Sequence, residues 1–295
     1  MLSFNHVSKF IISDISIHIP KGVAVGIIGA SGAGKTTFLK LACGLLSPEA
    51  GEVYTLQKNP VENRASLGKY IGCLLERMPI FDEERSVAEN LRDLQIVYQL
   101  TESEFTKQYE LLAARLGIQT FEQMQVKSLS FGQRRRAELA ACLLHCPKLL
   151  LLDEPSNGLD ENAKQVMREL LYERMKQGMT VVLTSHNMHD VSELCGRIVL
   201  LDQGKLLYYG EENSLLRNYA PLDTMSLKID GKLPDMEELP LQNYMVDGEK
   251  LILTYNSNYI TAPEILEVIL RQTSVLEVTI RKPDLTDVIL AVKKT

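Results

Sequence analysis

The sequence predicts an α/β domain built on a parallel sheet, followed by a small C-terminal α+β domain. Three observations lead there. Short apolar runs alternate with helix-like segments through most of the chain, and one long helical stretch interrupts that alternation. Past about Arg217 the order of strands and helices changes.

The first elements read as strands. Ile15, Ile17 and Ile19 alternate with Ser16 and His18, and Pro20-Lys21-Gly22 makes a turn. The apolar run Val23–Ile28 then enters a glycine-rich loop. A helix is expected from Lys35 to Leu46, ended by the Gly44 and Pro48 signals. From about Val87 to Leu144 the chain reads as helical. Thr101-Glu-Ser-Glu104 is a capping box, with Phe105, Tyr109, Leu112 and Leu116 at helical spacing after it.

Strands return after Pro147 as Leu149–Leu152, Thr180–Thr184 and Ile198–Leu201, with a helix from Glu161 to Lys176 between the first two. Such alternation implies a parallel sheet covered on both faces, with a helical insertion over about 76–145. Asp202-Gln-Gly204 reads as a hairpin turn into Leu206–Tyr209. The tail offers strands at Met225–Ile229, Leu251–Tyr255 and Leu276–Ile280, and helices at Pro263–Arg271 and Asp284–Val292. The expected domains are 1–217 and 218–295.

Composition narrows the function class. The chain has 295 residues, 45% hydrophobic and 24% charged, enough for a core without staples. A net charge of −6 argues against nucleic acid as the main partner. The five cysteines are scattered through apolar stretches with no CxxC pair, as suits buried thiols in a reducing compartment. Cys142, His145 and Cys146 share a helical face, but structural zinc needs four ligands, so core packing is preferred. No signal-peptide pattern follows Met1, and no apolar run approaches the roughly 20 residues of a membrane span. A cytoplasmic or peripheral protein is expected.

Gly29-Ala30-Ser31-Gly32-Ala33-Gly34-Lys35-Thr36 fits the phosphate-loop (Walker A) pattern G-x-x-x-x-G-K-[ST], after a strand and before a helix. The glycines let backbone N–H groups wrap a phosphate at a helix N-terminus. Lys35 is expected to reach the β- and γ-phosphates of ATP, and the Thr36 hydroxyl to ligate Mg²⁺. Thr37 completes the expected ATP-binding loop. Leu149–Leu152 runs into Asp153 and Glu154, at the strand ends where open α/β sheets bind ligands. Asp153 is the expected Mg²⁺ partner. Glu154 is expected to orient or deprotonate the attacking water. His186 ends a neighbouring apolar strand and is assigned to the same catalytic edge beside Lys35.

Leu129-Ser130-Phe131-Gly132-Gln133 resembles the ABC signature LSGGQ, upstream of the Asp153-Glu154 strand. With the phosphate loop, Asp153-Glu154-Pro155, Gly158-Leu-Asp160 and Ser185-His186, residues 1–215 resemble the ABC transporter ATPases. The resemblance implies a P-loop NTPase with an ABC-type helical subdomain. It also implies a head-to-tail dimer in which Ser130 and Gly132 of one subunit cap the ATP held by Lys35 of the other. Asp160 would couple the two sites. Phe10 matches the aromatic that stacks on adenine, beside the plainer reading of a core or turn phenylalanine. Phe131 departs from the family's glycine, at a position whose side chain need not touch ATP.

A second departure is Glu76, where the family usually carries a glutamine that contacts Mg²⁺. The segment Ile71-Gly-Cys-Leu-Leu-Glu-Arg-Met-Pro-Ile-Phe resembles the bacitracin-exporter and lantibiotic-immunity ATPases, and a carboxylate there adds charge near Mg²⁺. Arg134, Arg135 and Arg136 read as a solvated or subunit-facing charge run. Pro283-Asp-Leu-Thr-Asp-Val-Ile-Leu resembles the closing segment of many export-type subunits. The resemblance thus implies an ATPase powering export, of a drug or peptide antibiotic, through a separate integral-membrane permease on the inner face of the cell membrane. Two other readings stand beside it: a soluble ABC switch in translation or repair, and an importer subunit. The translation type carries two ATPase units and the repair type long coiled coils, which this sequence does not show. Sugar importers tend to an all-β tail.

Overall fold

Every residue of three central apolar runs is buried, so the sheet they form is covered on both faces. The computed structural model describes residues 1–76, 78–237 and 239–293. It divides into two units, Met1–Glu211 and Glu212–Thr295.

The first unit runs through β1 (Leu2–Lys9), β2 (Ile12–Ile19), β3 (Ala24–Ile28), α1 (Lys35–Ala42), β4 (Ala50–Thr55), α2 (Arg64–Leu67) and β5 (Ile71–Leu74). Three helices follow, α3 (Val87–Tyr98), α4 (Glu102–Leu116) and α5 (Phe131–Leu143). Then β6 (Leu149–Asp153), α6 (Glu161–Lys176), β7 (Thr180–Thr184), α7 (Met188–Leu194), β8 (Arg197–Asp202) and β9 (Lys205–Gly210) complete the unit.

The main sheet has the order β5-β6-β7-β3-β8-β9 and is parallel except at its β9 edge. That edge is antiparallel because β8 turns back through Gln203 and Gly204, both at positive φ, a geometry that suits hairpin twist. A second, antiparallel sheet of order β2-β1-β4 packs on α1, where Phe4 stacks on Phe38 at 4.2 Å. Helix α1 ends at Ala42, short of the expected Leu46, because the chain turns at Cys43 and Gly44 and the Gly44 N–H bonds back to Leu41 O. Thr101 caps α4 as its sequence indicates, and Ser86 and Ser130 form the same reciprocal box at α3 and α5.

Register then places the chemistry. Asp153, the last residue of β6, pairs with Thr184, the last of β7, and Ile27 of β3 also faces Thr184. The carboxyl ends of three neighbouring strands therefore converge where β3 enters the glycine-rich loop.

The second unit contains α8 (Glu212–Tyr219), β10 (Leu222–Asp230), β11 (Leu241–Asp247), β12 (Lys250–Asn256), α9 (Ala262–Leu270), β13 (Ser274–Arg281) and α10 (Leu285–Val292). Its sheet is antiparallel with order β11-β12-β10-β13. Met225, Leu227, Leu251, Leu253 and Tyr255 meet Ile265 and Ile269 in its core. The division falls a few residues ahead of Arg217 because α8 packs on α10. Strand β11 is not visible as a sequence pattern: all but its first residue are exposed, so no buried face imposes alternation.

Candidate active site

A cavity of about 310 Å³ lies beyond the strand ends. Ser31, Gly32, Gly34, Lys35, Thr36 and Thr37 line it from the loop and α1, and Asp153, Glu154, His186, Glu76 and Ile11 from the surrounding elements. Residues far apart in the chain thus share one small space.

The loop geometry follows from its glycines. At Gly29 the backbone has φ +151°, and a methyl group there would lie 2.1 Å from Leu201 O, so no other residue fits. Gly34, at φ +102°, leads straight into α1, whose first-turn residues Lys35, Thr36 and Thr37 line the cavity. Lys35 Nζ donates to Gly29 O at 2.8 Å and Ala30 O at 3.0 Å, which holds the ammonium across its own loop. Ala30 and Ala33 shape the loop without lining the cavity; Ala33 is buried and its N–H bonds to Ala30 O.

The carboxylates are held by hydroxyls and backbone. Thr36 Oγ1 donates to Asp153 Oδ2 at 2.8 Å, and Thr184 Oγ1 donates to Asp153 Oδ1 at 2.6 Å. Thr184 also receives the Glu154 N–H on its hydroxyl at 3.1 Å and on its carbonyl at 3.2 Å. Glu154 sits at φ +50°, an uncommon conformation for a side-chain-bearing residue. Its Oε2 accepts the His186 backbone N–H at 3.0 Å, and its Oε1 lies 3.5 Å from His186 Nε2. That Oε1 is buried without a hydrogen-bond partner. Thr184 is the residue that sequence reasoning passed over. Its signal was a hydroxyl closing an apolar strand beside the Asp153 strand.

Other expected residues lie outside this cavity. Phe10 does not line the cavity; it sits at a turn with φ +52°, 70% exposed, with Lys9 Nζ 4.7 Å from the ring centroid. The core reading is thereby excluded. Arg134–Arg136 are not a solvated run. Arg134 pairs with Glu83 and Glu138, Arg135 is buried, and Arg136 donates to Leu116 O. Cys142 donates to Cys73 O, His145 faces Ile71 O, and the exposed Cys146 accepts from Arg174 at 3.5 Å, so these three side chains engage separate partners. Among the described residues no group of three or more His, Cys, Asp or Glu could hold a metal ion by itself.

The signature residues stand apart from the cavity. Leu129 precedes the helix, and Ser130 caps α5 by accepting from Gln133 N at 3.2 Å while Gln133 Oε1 accepts from Ser130 N at 2.9 Å. Phe131 and Gly132 form the first turn of α5. None of the five lines the Lys35 cavity of its own chain. Asp160 is exposed and caps α6, accepting from Ala163 N at 2.8 Å. In the Glu76 segment, Arg77 lies outside the described residues. No helix of the described residues is long and apolar enough to cross a membrane.

Comparison with known proteins agrees with this geometry. A family model described as ABC transporter matches residues 12–157. The ABC transporter ATP-binding protein NatA of Bacillus subtilis is 31% identical over 204 residues, 69% of this chain and 83% of that protein. The Nod factor export ATP-binding protein I of Bradyrhizobium diazoefficiens is 29% identical over 285 residues, 96% of this chain and 91% of that protein. Among solved structures, a dimeric ATP-binding cassette in a post-hydrolysis state, bound to ADP and Pi, superposes with TM-score 0.62. It is 23% identical, over 72% of this chain and 98% of that one. The chain belongs to the ATP-binding subunits of ABC transporters, an ATPase whose hydrolysis is coupled to transport.

Proposed function

We propose that the chain hydrolyses ATP to drive export through a separate integral-membrane permease, working as a head-to-tail pair of ATPase subunits. The observation that carries this reading is the single cavity shared by Lys35, Thr36, Asp153, Glu154 and His186. Lys35 and the loop N–H groups bind the β- and γ-phosphates. Glu154 orients the attacking water with its partnerless Oε1 and takes up its proton. His186 stands by that oxygen to contact the γ-phosphate. Phe10, exposed at its turn, offers a ring face for adenine.

The oxygen donors also suit Mg²⁺. Thr36 hydroxyl and Asp153 carboxylate already meet at 2.8 Å, and Glu76 lines the same cavity, a hard-oxygen set fitted to a hard cation. When bound, the ion balances charge on the phosphates. Glu76 adds a further negative charge at the site and, with its surrounding segment, favours a cargo of the peptide-antibiotic kind.

The isolation of Ser130 and Gly132 from the Lys35 cavity favours the head-to-tail pair. In such a pair the N-terminus of α5 in one subunit faces the γ-phosphate in the other, and Asp160 lies between the two sites. Export is favoured by the Nod factor export relative of Bradyrhizobium diazoefficiens, which aligns along 96% of this chain. Co-purification is the test. A stable complex with an integral membrane protein whose addition stimulates Mg²⁺-dependent ATPase activity is expected. Association with ribosomes or DNA in its place would overturn the transport reading.

A further inference from the structure

Phe131 opens α5 directly after the Ser130 cap, and it stands where the resembling signature has glycine. The ring is 60% exposed, so core burial does not account for it. Two neighbours hold it. The Arg135 guanidinium, buried on the next turn of α5, lies 5.6 Å from the ring centroid. The other neighbour is Gly158. A methyl group on Gly158 would come within 2.0 Å of Phe131 Cδ1 and 2.4 Å of Cε1. One on Gly132 would come within 2.7 Å of Gly158 O. The first turn of α5 and the backbone at Gly158 are therefore in direct contact.

Gly158 lies between Glu154 and Asp160 in a tightly tied loop. Asn157 N donates to Glu154 O at 3.2 Å, and Leu159 N donates to Ser156 O at 3.2 Å. Ser156 and Leu159 are buried, and Asp160 is fixed as the cap of α6. Glu154 at φ +50° and Gly158 at φ +76° each hold an uncommon conformation. These ties leave the loop few free torsions between Gly158 and Glu154.

We propose that Phe131 is a positioning residue for hydrolysis: by packing on Gly158 it sets the Glu154–Asp160 loop against the signature helix. Gly158 carries no side chain on two grounds: its φ of +76° favours glycine, and a methyl group there would meet the Phe131 ring. Phe131 then links the Ser130 end of α5 to the carboxylate that orients water, without touching nucleotide. This rests on the role proposed above for Glu154.

The test uses ATPase kinetics of the full chain with Phe131→Gly, Phe131→Leu, Gly158→Ala, the Phe131→Gly/Gly158→Ala double variant and Glu154→Gln. Phe131→Gly should lower kcat about tenfold, a loss within the range of contact couplings, while KM for ATP and the melting temperature stay near the parent's. Phe131→Leu should recover most of the rate. Gly158→Ala alone should be slow, and adding Phe131→Gly should recover the part of the rate lost to the methyl's clash with that ring, while the part lost to strain at φ +76° stays. Parent-like kcat in Phe131→Gly, a changed KM with unchanged kcat, or independent multiplication of the two single effects would each overturn the proposal. If Glu154→Gln hydrolyses ATP like the parent, the Glu154 role has failed. If Glu154→Gln is inactive and Phe131→Gly is normal, the Phe131 role alone has failed.

Discussion

Glu154 accepts the His186 backbone N–H on one carboxylate oxygen at 3.0 Å and presents the other to the His186 imidazole at 3.5 Å. The first contact fixes the carboxylate, and the second oxygen, buried and without a hydrogen bond, is the one proposed to hold the water. Glu154→Gln is nearly isosteric, and its amide oxygen can still accept the His186 N–H. Nucleotide affinity should therefore stay within a few-fold of the parent, while hydrolysis falls by about 10²–10⁴-fold, the usual share of a positioned base. Single-turnover ATPase rates beside nucleotide titrations make the check. Equal rates would remove Glu154 from the mechanism.

Thr184 is the hinge of the carboxylate pair, since one hydroxyl serves Asp153 Oδ1 and the Glu154 N–H. It is fully buried. Thr184→Val keeps the shape and strands Asp153 Oδ1, while the Glu154 N–H retains the backbone carbonyl at position 184, at a cost of about 1–3 kcal/mol in urea unfolding. The same variant should raise the Mg²⁺ concentration needed for half-maximal ATPase activity, and Thr184→Ser should restore both. Unchanged Mg²⁺ dependence in Thr184→Val would mean that Asp153 is oriented by Thr36 alone.

What the sequence could reveal was set by how strongly each position is constrained. Leu149–Asp153 and Thr180–Thr184 are buried along their whole length, so their apolar runs announce buried strands. The phosphate loop was legible because backbone geometry demands glycine at particular steps, as the Leu201 carbonyl does at Gly29. Strand β11 was hidden because solvent accepts almost any side chain on its exposed positions. Arg135 was misread because a guanidinium stacked beside Phe131 has the same letter as a solvated one. Thr184 needed a partner supplied by register, which one strand's sequence does not carry.

Arg168 of α6 donates to Asp190 of α7 at 2.6 Å, with the aspartate almost wholly buried. This pair fixes the helix that follows His186. Asp190→Ala leaves the guanidinium with only Glu161 at 3.3 Å and Gln165 at 3.0 Å and should cost about 1–3 kcal/mol. Removing both charges with Arg168→Met/Asp190→Leu should cost less than the sum of the two single losses, because the buried contact is removed from both sides. Denaturant midpoints of the two singles and the double decide it. Additive losses would show that the pair is not coupled.

His145 should give the fold a pH dependence of known sign. Its ring is buried and stacked on Tyr98 at 3.8 Å, Nε2 lies 3.2 Å from Ile71 O, and Nδ1 has no partner. The neutral tautomer with hydrogen on Nε2 satisfies this site; a second proton would place an unpaired N–H in the core. Burial accordingly pushes the pKa from 6.5 down to about 4, against a smaller opposing effect of the Ile71 carbonyl. Between those values the unfolded chain binds a proton that the folded chain refuses, so stability rises with pH across the window. The contribution is complete above about pH 6.5 and is lost as pH falls toward 4. At pH 5 the loss should reach about 2 kcal/mol relative to neutral pH. His145→Gln keeps an amide donor for Ile71 O and does not titrate. Urea midpoints of parent and variant, compared from about pH 7.5 down to pH 5, should converge as the parent loses stability. Parallel curves would show that His145 accepts its second proton without cost.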